Sequence, residues 1–342
     1  LLAAAPEKAV TTHPSLAGAV GRLAKEEGGE ALLLDSPTGA YAYTESTLER
    51  VYQTCGMAEA AREAGIKLND DTGFQAVSFP EGKLIKHFEI LSPLLAADAV
   101  FNLCKLKTHS LMTMTGAVKN LFGAVPGRAK PGYHANLADV DLFGQMLLDL
   151  AACVSPRLSI MDAVVGMEGD GPSNGSPRQV GLLLAAESPL ALDVAAGEIM
   201  GLERKDNPLL LAAARQGRGP TRREEIELIG MAWEDLRIPD FQLPATHAGD
   251  AGGLLGWLQG LFSPLMKAGM SLRPEVVAED CVACGDCVTI CPQGVIEIRE
   301  EAAHPYAWID DEDCIRCYCC HETCPQDAIA LEKGLLYRLI RG

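Results

Sequence analysis

The stretch "CVACGDCVTICP" at residues 281–292 decides the fold of the C-terminal part of this chain, and "CIRCYCCHETCP" at residues 314–325 repeats it. Both stretches follow the pattern C-x2-C-x2-C-x3-C-P. Three thiolates at this spacing wrap one face of an iron-sulfur cube, and the fourth cysteine ligates the neighbouring cube when two are present. Tetrahedral zinc usually takes two separated C-x2-C pairs, so a pair of zinc sites is the weaker alternative.

The repeated motif resembles the bacterial two-[4Fe-4S] ferredoxin family, and both copies are complete. The resemblance assigns four cysteines to each cluster: Cys281, Cys284, Cys287 and Cys324 to the first, and Cys314, Cys317, Cys320 and Cys291 to the second. Cys319 is left over, because only Cys320 has the required spacing to both Cys317 and Cys324. A cluster with four protein ligands has no open position for a substrate, so we interpret this segment as an electron relay.

Composition narrows the classes of partner. The 342 residues carry a formal charge of −17, so the chain is repelled by nucleic acid and by anionic lipid, and small molecules or proteins are the expected partners. Nine of the twelve cysteines fall between residues 281 and 324, a crowding that indicates metal ligation in a reducing compartment. We therefore expect a cytoplasmic protein that binds no nucleic acid.

No apolar run reaches the roughly 18 residues that a membrane-spanning helix needs. The longest candidate, residues 252–266, is interrupted by glycine and is predicted to be a docked linker, with a membrane-surface anchor as the alternative. The chain opens on "LLAAAPEKAVTTHP" without an initiating Met, and we expect an N-terminal segment to be missing ahead of it.

Apolar runs alternate with helical patterns from residue 14 to about residue 230, which is typical of a layered α/β domain. Strand-like segments are expected at 31–35, 75–79, 98–106, 157–166, 179–186 and 224–230, and helices at 46–63, 139–153 and 188–202. The sheet is predicted to be mostly parallel. The domains are placed at 1–235 for the α/β domain, 236–272 for a linker with a docked apolar segment, and 273–342 for a small ferredoxin-like α+β domain with two clusters.

Residues 99–138 contain no Asp or Glu, although 46 of the 342 residues are acidic. The same window holds seven basic or imidazole side chains: Lys105, Lys107, His109, Lys119, Arg128, Lys130 and His134. A local excess of positive charge in an acidic protein suits an anionic ligand, and a lysine among other cations has a lowered pKa. We predict Lys119 and His109 as catalytic and Lys107 and His134 as ligand-binding; a solvated basic face is the alternative.

The segment "THSLMTMTGAVKNLFG" follows an apolar strand, at the edge where α/β folds bind ligands. A helix starting near Thr115 or Gly116 would add its free N–H groups to an anion site. The loop "GMEGDGPSNG" at 166–175 offers Glu168 and Asp170 between glycines, for a metal or a substrate ammonium, and its alternative is a solvent-exposed turn. Thr115, Gly116, Glu168 and Asp170 are therefore further candidate binding residues.

Two resemblances bear on the N-terminal domain. "NLCKLKTHSLMTMTGAVKNLFGAVPG", "MEGDGPSNGSPRQVG" and "CIRCYCCHETCPQDAI" resemble, in order, the signature segments of the domain of unknown function 362 family, which implies an iron-sulfur protein of anaerobic or facultative microbes. More distantly, His109, "TGAVK" ending in Lys119, and His134 are similar in spacing to the nickel-pincer lactate racemase family. That likeness implies a shared scaffold and an organic or nickel cofactor on Lys119. A missing second glycine, Ala117 here, departs from it.

These observations lead to one main hypothesis and two alternatives. The main one is an iron-sulfur oxidoreductase in which two [4Fe-4S] clusters relay electrons from a partner protein to a small anionic substrate or cofactor in the α/β domain. One alternative is a non-catalytic electron carrier or maturation partner. The other is a racemase-like enzyme acting on a 2-hydroxy acid.

Overall fold

A computed structural model of the chain describes residues 1–246, 272–300 and 304–332. In these ranges no helix combines the length and apolar character needed to cross a membrane. The α-helices are α1 Pro14–Glu26, α2 Glu45–Thr54, α3 Met57–Ala64, α4 Ser92–Leu95, α5 Ala117–Asn120, α6 Lys130–Asn136, α7 Val140–Val154, α8 Pro189–Met200, α9 Pro208–Gln216, α10 Trp233–Leu236, α11 Asp286–Ile290 and α12 Cys319–Thr323. The strands are β1 Leu32–Leu33, β2 Lys67–Leu68, β3 Phe74–Ser78, β4 His87–Leu91, β5 Phe101–His109, β6 Thr113–Thr115, β7 Leu158–Glu168, β8 Ser176–Ala186, β9 Arg273–Val276, β10 Ile296–Arg299, β11 Tyr306–Ile309 and β12 Ile329–Glu332.

The central sheet has the strand order β6-β5-β7-β8, and a separate parallel pair is formed by β1 and β2. Strands β5 and β7 run parallel, whereas β5–β6 and β7–β8 are antiparallel. The predicted α/β class is confirmed, but the predicted parallel orientation holds only in part. The reason is local: short turns follow β5 and β7, and a strand that returns through a short turn pairs antiparallel with the strand before it.

Helix α8 covers one face of the central sheet. Its apolar residues pack with Cys104 and Leu106 of β5 and with Met161 and Ala163 of β7. A second apolar cluster surrounds α7 and α9 and includes Phe122, which follows the short helix α5. The turn that carries Lys119 is therefore held between two buried clusters.

Three predicted elements differ from the structure. The helix predicted at 46–63 is divided into α2 and α3 at Gly56, whose positive φ of 76° no helix interior adopts. The strand predicted at 224–230 is absent: a 3-10 turn covers Arg223–Glu225, and Ile229 is 84% exposed. Within the segment predicted as a linker from residue 236, Leu236 and Phe241 are buried in the apolar cluster that contains α8. The apolar segment at 252–266 lies outside the described residues.

The C-terminal unit contains two antiparallel strand pairs and two short helices in a similar arrangement. Strand β9 pairs antiparallel with β12, and β10 pairs antiparallel with β11. One short helix carries the third cysteine of each triplet, α11 in the first motif and α12 in the second. This is the small ferredoxin-like domain that the sequence predicts.

Candidate functional site

The two cysteine loops share one backbone path. Ala283 and Arg316 have φ of 51° and 53°, and Gly285 and Tyr318 have φ of 81° and 61°, at equivalent places in the two motifs. These residues adopt left-handed backbone conformations, which turn the chain so that successive cysteines face the same side. Residues other than glycine rarely adopt such conformations without a functional constraint. The sequence duplication is therefore also a structural one.

The first predicted cysteine set surrounds one small cavity. Cys281, Cys284, Cys287 and Cys324 all line it. Two sulfurs already accept backbone hydrogen bonds, from Ala307 N at 3.4 Å to Cys281 Sγ and from Ala328 N at 3.3 Å to Cys324 Sγ. Burial, together with Cys284 and Cys281, raises the pKa of Cys287 to about 11.

The second predicted set is also assembled. Burial raises the pKa of Cys314, with Cys317 and Cys291 among the neighbouring groups that act on it. Burial likewise raises the pKa of Cys320 well above its usual value, and Cys317 and Cys314 add to the effect. Cys324 thus lies beside the cysteines of the first motif, and Cys291 lies near Cys314 of the second, as the predicted exchange of ligands requires.

Cys319 and Cys320 face opposite sides of α12. Cys320 packs with Cys281, Cys287, Cys291 and Cys324. Cys319 packs instead with Ala40 and Tyr41 of the α/β domain and with Ile290 and Cys317 of the C-terminal unit. This arrangement agrees with the spacing argument that leaves Cys319 out of the ligand set.

The donor set fits an iron-sulfur cluster better than a single ion. Four thiols surround a cavity in the first set, and backbone amides point at their sulfurs, as iron-sulfur sites require. In the described ranges no three Cys, His, Asp or Glu side chains converge as closely as one metal ion demands. All twelve cysteines are free thiols.

A cleft of about 180 Å³ lies where the C-terminal unit meets the α/β domain. The predicted residues Lys107, Thr115, Lys119 and His134 line it, together with Lys130. Helix α12 closes the other side with Cys319, Glu322 and Thr323. The structure thus places much of the predicted basic site beside the helix that carries Cys320.

Of the three lysines in the cleft, Lys119 makes the fewest hydrogen bonds to the described residues. Its Nζ lies 5.9 Å from the centre of the Phe122 ring and donates no hydrogen bond to any residue in the described part of the chain. Burial lowers its pKa, and Glu322 and Cys319 oppose that shift. An amine of lowered pKa without an internal partner can receive an anion, a proton or an electrophile.

Lys107 and Lys130 are already held by carbonyl oxygens. Lys107 Nζ donates to Val10 O at 2.7 Å and to Pro172 O at 3.1 Å. Lys130 Nζ donates to the carbonyl oxygens of Ser36 and Pro37, both at 3.1 Å. Burial lowers their pKa values, to about 7 for Lys107 and about 8 for Lys130. Lys107 and Lys130 therefore contribute positive charge at the cleft wall. Lys119 is the lysine of the cleft whose Nζ donates no hydrogen bond within the described part of the chain.

Both predicted histidines are buried and neutral. His109 Nδ1 accepts hydrogen bonds from the N–H groups of Leu111 and Met112, which places its proton on Nε2, 3.5 Å from Glu322 Oε1. Burial lowers the pKa of His134 to about 3, and its ring stacks on Phe143 at 4.5 Å. His109 lies behind Glu322 and reaches the cleft only through it.

Unpartnered polar atoms converge on this cleft. Among the described residues, five buried atoms around it lack a hydrogen-bond partner: Asp35 Oδ1, His109 Nε2, Thr115 Oγ1, His134 Nδ1 and Glu322 Oε1. A buried polar atom without a partner costs roughly 1–3 kcal/mol, and such a cluster is typical of a place where a ligand supplies the missing bonds.

The turn before Lys119 is fixed by residues that the sequence analysis did not identify. Asp193 of α8 accepts hydrogen bonds from the N–H groups of Ala117 and Val118, the second at 3.1 Å. Asn102 Nδ2 donates to Ala117 O at 2.9 Å. The expected free N–H groups at this helix start are therefore already bound, and Gly116 faces Asp193. The sequence contained a signal for this role of Asp193, because it is the one acidic residue in the apolar run "PLALDVAAG".

Glu168 and Asp170 lie away from the cleft. Glu168 accepts a hydrogen bond from Gln242 N at 3.0 Å, and Asp170 accepts one from Ala245 N at 2.7 Å. The two carboxylates hold residues 242–245 to the sheet, so the structure gives them an anchoring role in place of the predicted ligand. Lys105, from the same basic window as Lys119, forms a buried ion pair with Asp162 at 2.6 Å.

The neighbouring loop 172–174 ties the two units together. Asn174 Nδ2 donates to His321 O at 2.8 Å, and Ser173 Oγ donates to Glu322 O. These side chains satisfy carbonyl groups at the end of α12, where a helix has no internal donors left. The position of α12 over the cleft is thereby fixed.

The contact between Gly116 and Asp193 yields a matched pair of substitutions. A Cβ at Gly116 would clash with Asp193 Oδ1, whereas a Cβ at Gly132, in α6, meets nothing within 4 Å. We expect Gly116→Ala to destabilise the protein by roughly 1–3 kcal/mol, as overpacking does. Gly132→Ala should be neutral or slightly stabilising.

Denaturant unfolding and the rate at which Lys119 is acetylated, read by mass spectrometry, measure both effects of Gly116→Ala. Acetylation of Lys119 should change in Gly116→Ala and stay as in the parent protein in Gly132→Ala. Equal behaviour of the two variants would contradict the role of Asp193 in holding the turn.

Comparison with known proteins agrees with this architecture. The family model described as "Domain of unknown function (DUF362)" matches residues 1–198, and a "4Fe-4S dicluster domain" matches residues 280–328. The Thylakoid-associated protein sll1697 of Synechocystis sp. is 34% identical over 250 residues, which are 70% of this chain and 75% of that protein. No solved structure matches the chain.

Fold, cysteine sites and comparisons together define an α/β protein with a C-terminal [4Fe-4S]-binding domain. The chain belongs to the domain of unknown function 362 family. The resemblance to the nickel-pincer lactate racemase family is not shown by any of these comparisons. An iron-sulfur electron-transfer role follows from the C-terminal domain.

Proposed function

We propose that this protein is an iron-sulfur oxidoreductase in which two [4Fe-4S] clusters deliver electrons to a small anion bound in the basic cleft. The observation that carries the proposal is the set of five unpartnered buried polar atoms around that cleft. One wall of the cleft is α12, the helix that includes the proposed ligand Cys320. The free cysteines support a reducing, cytoplasmic location.

The two clusters are assigned to the two assembled cysteine sets. Cys281, Cys284, Cys287 and Cys324 would hold the first cluster, and Cys291, Cys314, Cys317 and Cys320 the second. When bound, such clusters supply electrons one at a time. The remaining chemistry falls to the protein's own side chains.

The side chains of the cleft define what it would bind. Within the described part of the chain, Lys119 Nζ donates no hydrogen bond, and Thr115 Oγ1 is a buried hydroxyl without a partner. Lys107 and Lys130 add positive charge, and Asp35 and Glu322 also line the cleft and offer acceptor oxygens. A cleft of about 180 Å³ admits a small carboxylate.

Replacement of Lys119 tests this proposal. Small carboxylates such as oxalate, malonate and pyruvate serve as probes, with binding to the anaerobic holoprotein measured by calorimetry. A hydrogen bond to a charged group contributes roughly 1.5–3 kcal/mol, so Lys119→Ala should weaken binding of the best probe by about tenfold or more. The EPR spectrum and the iron content should be unchanged.

Lys86→Ala provides the control, because Lys86 is an exposed lysine outside the cleft. It should bind the probe as the parent protein does. A non-catalytic electron carrier would need its cluster cysteines and not Lys119. Unchanged probe binding in Lys119→Ala would therefore contradict anion binding in the cleft. The non-catalytic electron carrier would then be the better description of the protein.

A further inference from the structure

The two cysteine sets have different surroundings. Cys317 of the second set packs with Ala40 and Tyr41 of the α/β domain, and Cys320 is buried. Cys284 of the first set is exposed. Electron transfer between proteins requires close approach to a redox centre, and among the described residues the first set, with Cys284, is the more exposed of the two.

An exposed apolar patch adjoins the exposed cysteine. Val282 is 61% exposed and Ile298 is 38% exposed, and both line the cavity that Cys281, Cys284, Cys287 and Cys324 surround. We call Val282, Cys284 and Ile298 the entry surface. Apolar side chains left exposed over a functional group in a strongly charged protein mark an interaction site.

The charge around the entry surface is mainly negative, although Arg299, which directly follows Ile298, pairs with Glu297. Residues 274–298 contain five acidic residues and no Lys, Arg or His. Glu279 and Asp280 are exposed and directly precede Cys281. A partner that matches this surface carries an apolar centre with a basic rim, because complementary charge speeds the encounter and apolar contact holds the complex.

We propose that the entry surface docks a basic redox protein that exchanges electrons with the first cluster. One electron passes between the partner's redox centre and the cluster, so one is oxidised as the other is reduced, and no bond is made or broken. This inference rests on the part of the proposed function that places a cluster in the first cysteine set. It does not depend on the cleft.

Cytochrome c, a basic redox protein, is the probe. The holoprotein is reduced with dithionite, freed of excess reductant and mixed with ferricytochrome c in a stopped-flow instrument. At low ionic strength, the double variant E279K/D280K should reduce the haem roughly tenfold more slowly than the parent protein. The difference should disappear at about 1 M salt, where charges are screened within a few ångströms.

Two further variants localise the effect. E26K/E27K, at the exposed end of α1, changes the net charge by the same amount and should alter the rate less than about twofold. Val282→Ser should slow the reaction roughly threefold by removing apolar contact. All variants are compared at matched iron content and with their cluster midpoint potentials measured.

The proposal is overturned if E279K/D280K and E26K/E27K slow the reaction equally, since net charge alone would then act. It is also overturned if sedimentation shows a dimer that Val282→Ser dissociates, because a second copy would then cover the entry surface. Lys119→Ala should leave the rate with cytochrome c unchanged. Failure of the proposed docking at the entry surface is thus distinguishable from failure of the proposed anion binding in the cleft.

Discussion

Replacing Cys320 by Ala should remove one [4Fe-4S] cluster, whereas replacing Cys319 by Ala should leave both in place. The two cysteines are adjacent in the chain and both are buried. Cys320 lies in the buried cluster that contains Cys287, Cys291 and Cys324, whereas Cys319 lines the cleft and its one neighbour among the proposed ligands in its own cluster is Cys317. A cube that loses one of its four thiolates loses an iron ligand outright.

Iron and sulfide analysis with low-temperature EPR of anaerobic protein checks this expectation. Iron should fall from about eight to about four per chain in Cys320→Ala and stay near eight in Cys319→Ala. Since each variant serves as the other's control, a general effect of replacing a buried cysteine would appear in both. Loss of iron in Cys319→Ala alone would reverse the ligand assignment.

Replacing Asp149 by Ala should be among the most destabilising changes in the α/β domain. Asp149 lies fully buried on α7 and accepts hydrogen bonds from the N–H groups of Lys83, Leu84 and Ile85 at 2.7–2.9 Å. Arg218 Nη2 donates to Oδ1 of the same carboxylate at 2.6 Å. The substitution leaves three backbone donors and a half-buried guanidinium without their acceptor, which costs about 3–5 kcal/mol.

Denaturant unfolding at pH 7, followed by circular dichroism, measures the loss. Burial raises the pKa of Asp149, but the three backbone N–H groups and Arg218 outweigh it, so the pKa is lowered overall. The stabilisation is therefore present above the unfolded-state pKa and is lost as pH falls through the folded-state pKa. The difference from the parent protein should shrink below about pH 4.

Asp139→Ala is the matched control for this prediction. Asp139 caps α7 and accepts hydrogen bonds from two backbone N–H groups, yet it is exposed. The loss of such a cap costs about 1 kcal/mol. Equal destabilisation by the two changes would show that burial of Asp149 adds nothing.

The sequence predicted several residues of the basic cleft, but it did not show which basic side chains of that segment lie elsewhere. The acid-free window led to Lys107, Lys119 and His134, which line one cavity. It also included Lys105, which is neutralised by Asp162, and Arg128, which lies over the Phe74 ring at 4.9 Å. Charge counts along a chain cannot tell a lysine paired inside the core from one that faces a cavity, because the pairing partner is distant in sequence.

The sequence by itself determined the cluster-binding motifs, the α/β class and the basic segment, since each depends on local spacing or composition. Only the tertiary structure decided that α12 sets Glu322 and Cys319 against Lys119, that Asp193 fixes the turn, and that Glu168 and Asp170 are anchors. These contacts join residues more than 70 positions apart. Their energies come from burial and hydrogen bonding in the folded chain, which no local pattern encodes.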